Sequence, residues 1–153
     1  MYGAFRNPTT LQSLNSEEVE PGVTRNRLQY IMDGGAVFVF SITKPPQSIK
    51  ILMENAAIAN EEIDYYFLHQ ANKIMVEKIC NKLKVPVEKA PTSYELFGNT
   101  SMSSIPLTMI TSKRRELVNS RLNLIICGFG GGLSWATGNI ITDRIVCPEL
   151  IEI

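Results

Sequence analysis

Two short apolar runs constrain most of what this chain can become. Ile63 to Leu68 and Leu122 to Cys127 are nearly continuous in apolar residues. They lack the steady polar alternation of a strand that faces water on one side, so they fit strands buried on both faces of a sheet. Around them, apolar residues recur at helical spacing. Ile49, Leu52, Met53, Ala56 and Ala57 do so within 47–60, Met75, Val76, Ile79, Cys80 and Leu83 after Asn72, and Ile105, Met109 and Ile110 within 101–116. Asn72 reads as an N-cap and Pro86 as the stop of the second helix. Pro106 is tolerated best if the third helix begins a little after Ser101. Helices alternating with buried strands predict an α/β layered domain.

Other stretches are less regular. Residues 1–30 carry turn formers and no sustained period, and 1–25 reads as an irregular lead-in to a single domain spanning 1–153. Met32-Asp33-Gly34-Gly35 reads as a turn. Ala36 to Ile42 is β-branched and aromatic, which predicts a strand. Leu133 to Val146 reads as the last strand region, bent near Gly138-Asn139.

Charge and cysteine usage narrow the function classes. The formal net charge is zero, and no basic block is longer than Lys113-Arg114-Arg115, which argues against a nucleic-acid surface. No apolar run approaches the roughly 20 residues of a membrane span, and the start lacks the pattern of a secretory signal. Three widely spaced cysteines, Cys80, Cys127 and Cys147, suit a reducing cytoplasm better than a disulfide framework. With one histidine and no paired cysteines, no metal site is expected. No Gly-x-Ser-x-Gly elbow is present, which disfavours a serine hydrolase.

The lone histidine, His69, follows the first apolar run and precedes a helix. Ligands of open α/β sheets bind at that end of the strands, and an imidazole there can donate a hydrogen bond or move a proton. A structural histidine bonded to a nearby loop fits the same position. Asn99, in the turn Gly98-Asn99-Thr100-Ser101, is either a capping residue or a fixed amide donor for an oxyanion. Gly128-Phe129-Gly130-Gly131-Gly132 fails as a dinucleotide fingerprint, because Leu133 stands where the third glycine belongs and strand follows. It fits a tight strand-to-strand turn, and it equally fits a backbone that presents an N–H to a ligand. Cys80 and Cys127 read as core residues, and Cys147 has no evident activating base.

Taken together, His69-Gln70-Ala71-Asn72, Gly98-Asn99-Thr100-Ser101 and the Gly-Phe-Gly-Gly-Gly-Leu-Ser-Trp run resemble the C-terminal half of β-ketoacyl-acyl carrier protein synthase III, a thiolase-fold condensing enzyme. The likeness runs from about Asn26 to Ile145, including Met32-Asp33-Gly34 and Val37-Phe38-Val39-Phe40. It implies one α/β/α half of a five-layered fold, and it implies that Val37 to Phe40 open a helix. It also implies roles for particular residues. His69 and Asn99 match the His and Asn of a Cys-His-Asn triad, which bond the malonyl thioester oxygen as it becomes an enolate. Gly131 matches the backbone N–H of the acyl-enzyme oxyanion hole, and Phe129 a ring beside the catalytic pair. Met32, Gly34, Phe38, Ala71 and Asn72 match positions along a pantetheine tunnel. No cofactor is implied beyond coenzyme A or carrier-protein phosphopantetheine as substrate carrier. The implied partners are acyl-CoA, acyl carrier protein, an N-terminal half bearing the nucleophilic Cys, and a second copy in a homodimer. The sequence departs from that pattern at Ile74, where the family often has a basic residue for carrier-protein docking. None of its cysteines matches the nucleophile. A subunit of a split enzyme and a non-catalytic acyl or pantetheine binder are the alternatives.

Overall fold

The computed structural model describes residues 9–29 and 32–151. Its centre is a three-stranded sheet in the order β3-β4-β5, formed by Tyr65–Leu68, Arg121–Gly130 and Ser134–Asp143. β3 runs parallel to β4, from Tyr65 opposite Leu124 to Leu68 opposite Cys127. β4 and β5 are an antiparallel hairpin in unbroken register from Arg121 opposite Asp143 to Gly130 opposite Ser134. Both apolar runs are therefore strands, and the second extends through Phe129 to Gly130.

Side chains alternate across this sheet and feed two cores. On one face Tyr66, Leu68, Ile125, Cys127 and Phe129 pack with residues of α2 (Lys44–Ala56) and α3 (Lys73–Leu83), including Ile49, Met53, Val76 and Ile79. On the other, Phe67, Leu122 and Leu124 pack with Leu117, Ile105 and Met109 of α5 (Ser104–Asn119). Helices thus cover both faces, which explains why the strands could afford no polar side. Burying each such Leu, Ile or Phe contributes roughly 1.5–3 kcal/mol.

The helices begin where their caps allow. Asn72 Oδ1 accepts from Met75 N–H at 2.9 Å, and α3 ends at Leu83, ahead of Pro86. α5 starts at Ser104, after the short helix α4 (Tyr94–Phe97) and a single 3₁₀ turn at Ser101–Ser103, so Pro106 falls in its first turn, where a missing N–H leaves no gap. Pro45 and Pro46 open α2 in the same way.

Four expectations are corrected. Gly34–Ser41 is a helix, α1, and not a strand from Ala36 to Ile42, as the family likeness implied. Asp33 Oδ1 accepts from Ala36 N–H at 2.9 Å, so Met32 to Gly35 is a helix start and not a free turn. The bend near Gly138-Asn139 is absent: Gly138 faces Ile126 and Asn139 faces Ile125 in the continuous ladder. Asn139 Nδ2 donates to Asn123 Oδ1 and to Leu124 O, tying the residue into the sheet. The lead-in is not wholly irregular, because Glu17–Glu20 (β1) and Val23–Arg25 (β2) pair as a small hairpin around Pro21-Gly22. Residues 1–8 of that lead-in lie outside the described residues. Among the described residues no helix is long and apolar enough to cross a membrane.

Candidate active site

The carboxyl end of β3 delivers His69. Its N–H continues the parallel ladder to Cys127 O at 2.9 Å, which fixes the backbone beside β4. The ring stands edge-on to Phe129, with centroids 5.2 Å apart and planes at 86°. Nδ1 lies 2.8 Å from Ser104 Oγ, at the first residue of α5. Burial lowers the His69 pKa from its ordinary 6.5, against an opposing hydrogen bond to the Ser101 backbone. The positive end of the α5 dipole likewise disfavours an imidazolium. The ring is consequently neutral at physiological pH, with one N–H to donate.

Asn99 comes from the loop before α5. Gly98, at φ 62° and ψ −151°, adopts a conformation essentially reserved for glycine and turns the chain into that loop. Asn99 Oδ1 accepts from Ser101 N–H at 2.9 Å. That bond orients the side-chain amide and leaves its NH₂ as the donor. Asn99 is exposed, unlike its neighbour Thr100, whose Oγ1 is buried with no hydrogen-bond partner.

Both residues open into one cavity of about 820 Å³. Phe129, Gly131, Ala71 and Met32 also line it, so six of the sequence-derived site residues meet there. Gly131 sits in the loop between β4 and β5. A Cβ built on it would meet nothing within 4 Å, and its carbonyl accepts from Ser134 Oγ at 2.7 Å. Only the end of the glycine run is the strand-to-strand turn, because Gly128 to Gly130 pair within β4, and Gly131 presents an approachable backbone to the cavity. Three other candidates do not line this space. Gly34 and Phe38 lie in α1, and Asn72 serves as the α3 cap.

No cysteine lines the cavity. All three are buried and unpaired, and burial pushes the Cys80 and Cys127 thiols up to about 11. Neither of those two is a thiolate near neutral pH, so neither is poised as a nucleophile. No group of three or more His, Cys, Asp or Glu among the described residues could hold a metal ion.

Beneath His69 lies a buried polar network that sequence reasoning missed. The Gln70 side chain, with no exposure, donates to Leu68 O at 2.8 Å and to Pro91 O, and accepts from Ser93 N–H at 3.1 Å. Ser93 and Thr108 hydroxyls lie 2.6 Å apart, and Thr108 also donates to Ser104 O. The network links the end of β3, the loop at 91–93 and the first turns of α5. The available signal was the placement of Gln70 between a buried strand and a helix cap.

Known proteins resemble this chain in sequence and fold. Residues 53–140 match the family described as 3-oxoacyl-[acyl-carrier-protein (ACP)] synthase III C terminal. A β-ketoacyl-[acyl-carrier-protein] synthase III from Lactococcus lactis subsp. cremoris is 38% identical over 111 residues, covering 71% of this chain and 34% of the relative. Its counterpart from Streptococcus gordonii is 42% identical over 108 residues, covering 69% and 33%. The chain therefore spans about a third of the length of the curated relatives it matches. Among solved structures, a 3-oxoacyl-(acyl-carrier-protein) synthase III superposes with a TM-score of 0.74 at 33% identity, over 90% of this chain and 41% of the other. A 3-oxoacyl-(acyl-carrier protein) synthase from Burkholderia xenovorans gives 0.72 at 32%, over 75% and 33%. These neighbours share the thiolase fold, of which this chain has the mixed sheet and its two helical layers.

Proposed function

The chain belongs to the 3-oxoacyl-[acyl-carrier-protein] synthase III family, and on that premise we propose that it supplies the His/Asn side of a condensing active site. The reaction is decarboxylative Claisen condensation of a CoA-derived acyl group with malonyl-acyl carrier protein, as in fatty acid synthesis. The observation that carries this reading is the convergence of His69, Asn99, Phe129 and Gly131 on one cavity that no cysteine lines.

Each group has a task that its environment suits. As the malonyl thioester loses CO₂, the electron pair of the breaking C–C bond forms the C=C bond of an enolate, and the carbonyl π pair moves onto the thioester oxygen. The neutral His69 N–H and the Asn99 NH₂ donate to that oxygen and hold the enolate. Fixed donors in a partly dry site stabilise such charge without reorganising at the moment of reaction. The enolate carbon then attacks an acyl thioester carried on a cysteine from outside this chain, and the cysteine thiolate leaves. Gly131 N–H is the donor for the oxyanion formed in that attack. Ala71 and Met32 form the wall along which the phosphopantetheine arm of the carrier lies. Phe129 holds the imidazole edge-on and keeps water from it.

The test is an assay of acyl-CoA and malonyl-acyl carrier protein condensation, on the chain alone and with a protein segment that brings the nucleophilic cysteine. Activity is expected only in the second case. Rapid turnover by the chain alone overturns the assignment of the cysteine to another segment.

A further inference from the structure

We infer that Ser104 is a positioning residue that fixes neutral His69 in the Nε2–H tautomer, which leaves Nε2–H as the donor of the ring. The inference rests on His69 acting as a hydrogen-bond donor, as proposed above, but its test does not depend on turnover.

The deduction comes from counting protons on one buried hydroxyl. Ser104 is 1% exposed, so water does not complete its bonding. Among the described residues its Oγ has two partners, Gln70 N–H at 3.3 Å and His69 Nδ1 at 2.8 Å. The Gln70 amide can only donate. If Nδ1 also carried a proton, the hydroxyl would accept twice and its own O–H would be buried without an acceptor. Leaving a buried donor unpaired costs about 1–3 kcal/mol. With Nδ1 unprotonated, the hydroxyl donates to it and accepts from Gln70, and all three groups are satisfied. The ring proton then sits on Nε2.

Two features hold Ser104 in place for this role. It is the first residue of α5, so its backbone is set by the helix start. Its carbonyl accepts from Thr108 Oγ1 at 2.8 Å, and Thr108 joins Ser93, whose N–H is held by Gln70. The chain's single histidine makes the readout direct.

The experiment is ¹⁵N NMR of the full chain with labelled histidine, recorded above the His69 pKa, where the two ring nitrogens of a neutral tautomer differ in shift and proton coupling. The native chain is expected to show one tautomer protonated at Nε2. Ser104→Ala is expected to give a mixture or the Nδ1–H form, and Ser104→Thr to restore the native pattern. A native His69 protonated at Nδ1 overturns the inference, even if the variants fail to fold. So does a Ser104→Ala spectrum identical to the native one. Should the native tautomer be Nε2–H and depend on Ser104 while the reconstituted enzyme tolerates His69→Ala, the functional reading fails and the positioning role stands.

Discussion

His69 sits at a compromise between burial and chemistry, and the compromise has a pH signature. Burial depresses its pKa below the 6.5 of an exposed imidazole. Below about pH 6.5 the unfolded chain takes up a proton that the folded chain resists. The stability tied to this group is therefore present above 6.5 and is lost as pH falls through the lower folded pKa. The urea midpoint of the native chain is expected to drop relative to that of His69→Gln between about pH 7.5 and about pH 5. Parallel midpoints across that range would contradict it. In an assembled condensing enzyme, His69→Ala or Asn99→Ala should each lower turnover by about 100- to 1,000-fold, the usual effect of deleting one oxyanion donor. Steady-state assays with purified carrier protein check this. His69 and Asn99 each fit a structural role in the sequence, a loop-bonded histidine and a capping amide, and it was their combination with the glycine run that singled them out; the structure brings all three to one cavity. Ser104, Gln70 and Thr108 were not legible. Hydroxyls and amides near helix starts read first as caps, and only the folded structure shows that these bond to one another.

At the scale of elements, the loop carrying Asn99 depends on Gly98. Its φ of 62° with ψ near −151° is a conformation that any Cβ resists, although open space surrounds the site. Gly98→Ala is expected to cost about 1–3 kcal/mol in urea unfolding, or to shift the loop and weaken turnover while leaving the sheet intact. An alanine variant of native stability and activity would show that the glycine is dispensable. The same scale explains which elements the sequence revealed. The strands at 63–68 and 122–127 were visible because burial on both faces demands unbroken apolar residues. α1 was hidden because Val37, Phe38, Val39 and Phe40 are apolar all round the helix, with Phe40 in the core and Val39 exposed, so no stripe marks its period. Gly138-Asn139 read as a bend in the last strand, but ten cross-strand partners of β4 override that local preference.

For the whole molecule, the outer side of β5 stands out. It is one of the two edges of the described sheet, and it carries Ile140 and Ile141 at 43% and 58% exposure, with Trp135 at 44%. Open edges with apolar side chains pair readily with other strands. The isolated chain is expected to self-associate with rising concentration in sedimentation velocity, and Ile141→Lys to reduce that association. A monomer at every concentration, unaltered by the lysine, would contradict it. The sheet's connectivity bears on kinetics as well. The β4–β5 hairpin joins sequence neighbours through a short glycine turn, whereas β3 reaches β4 only after the chain has traversed α3 to α5. Loop-closure entropy therefore weighs on the parallel pairing and not on the hairpin. His69 follows β3, Ser104 opens α5 and Phe129 belongs to the hairpin, so their meeting requires that long-range closure. The environment of the single imidazole thus becomes a clock for folding, acquiring its native signal only when the slowest contact in the sheet has formed.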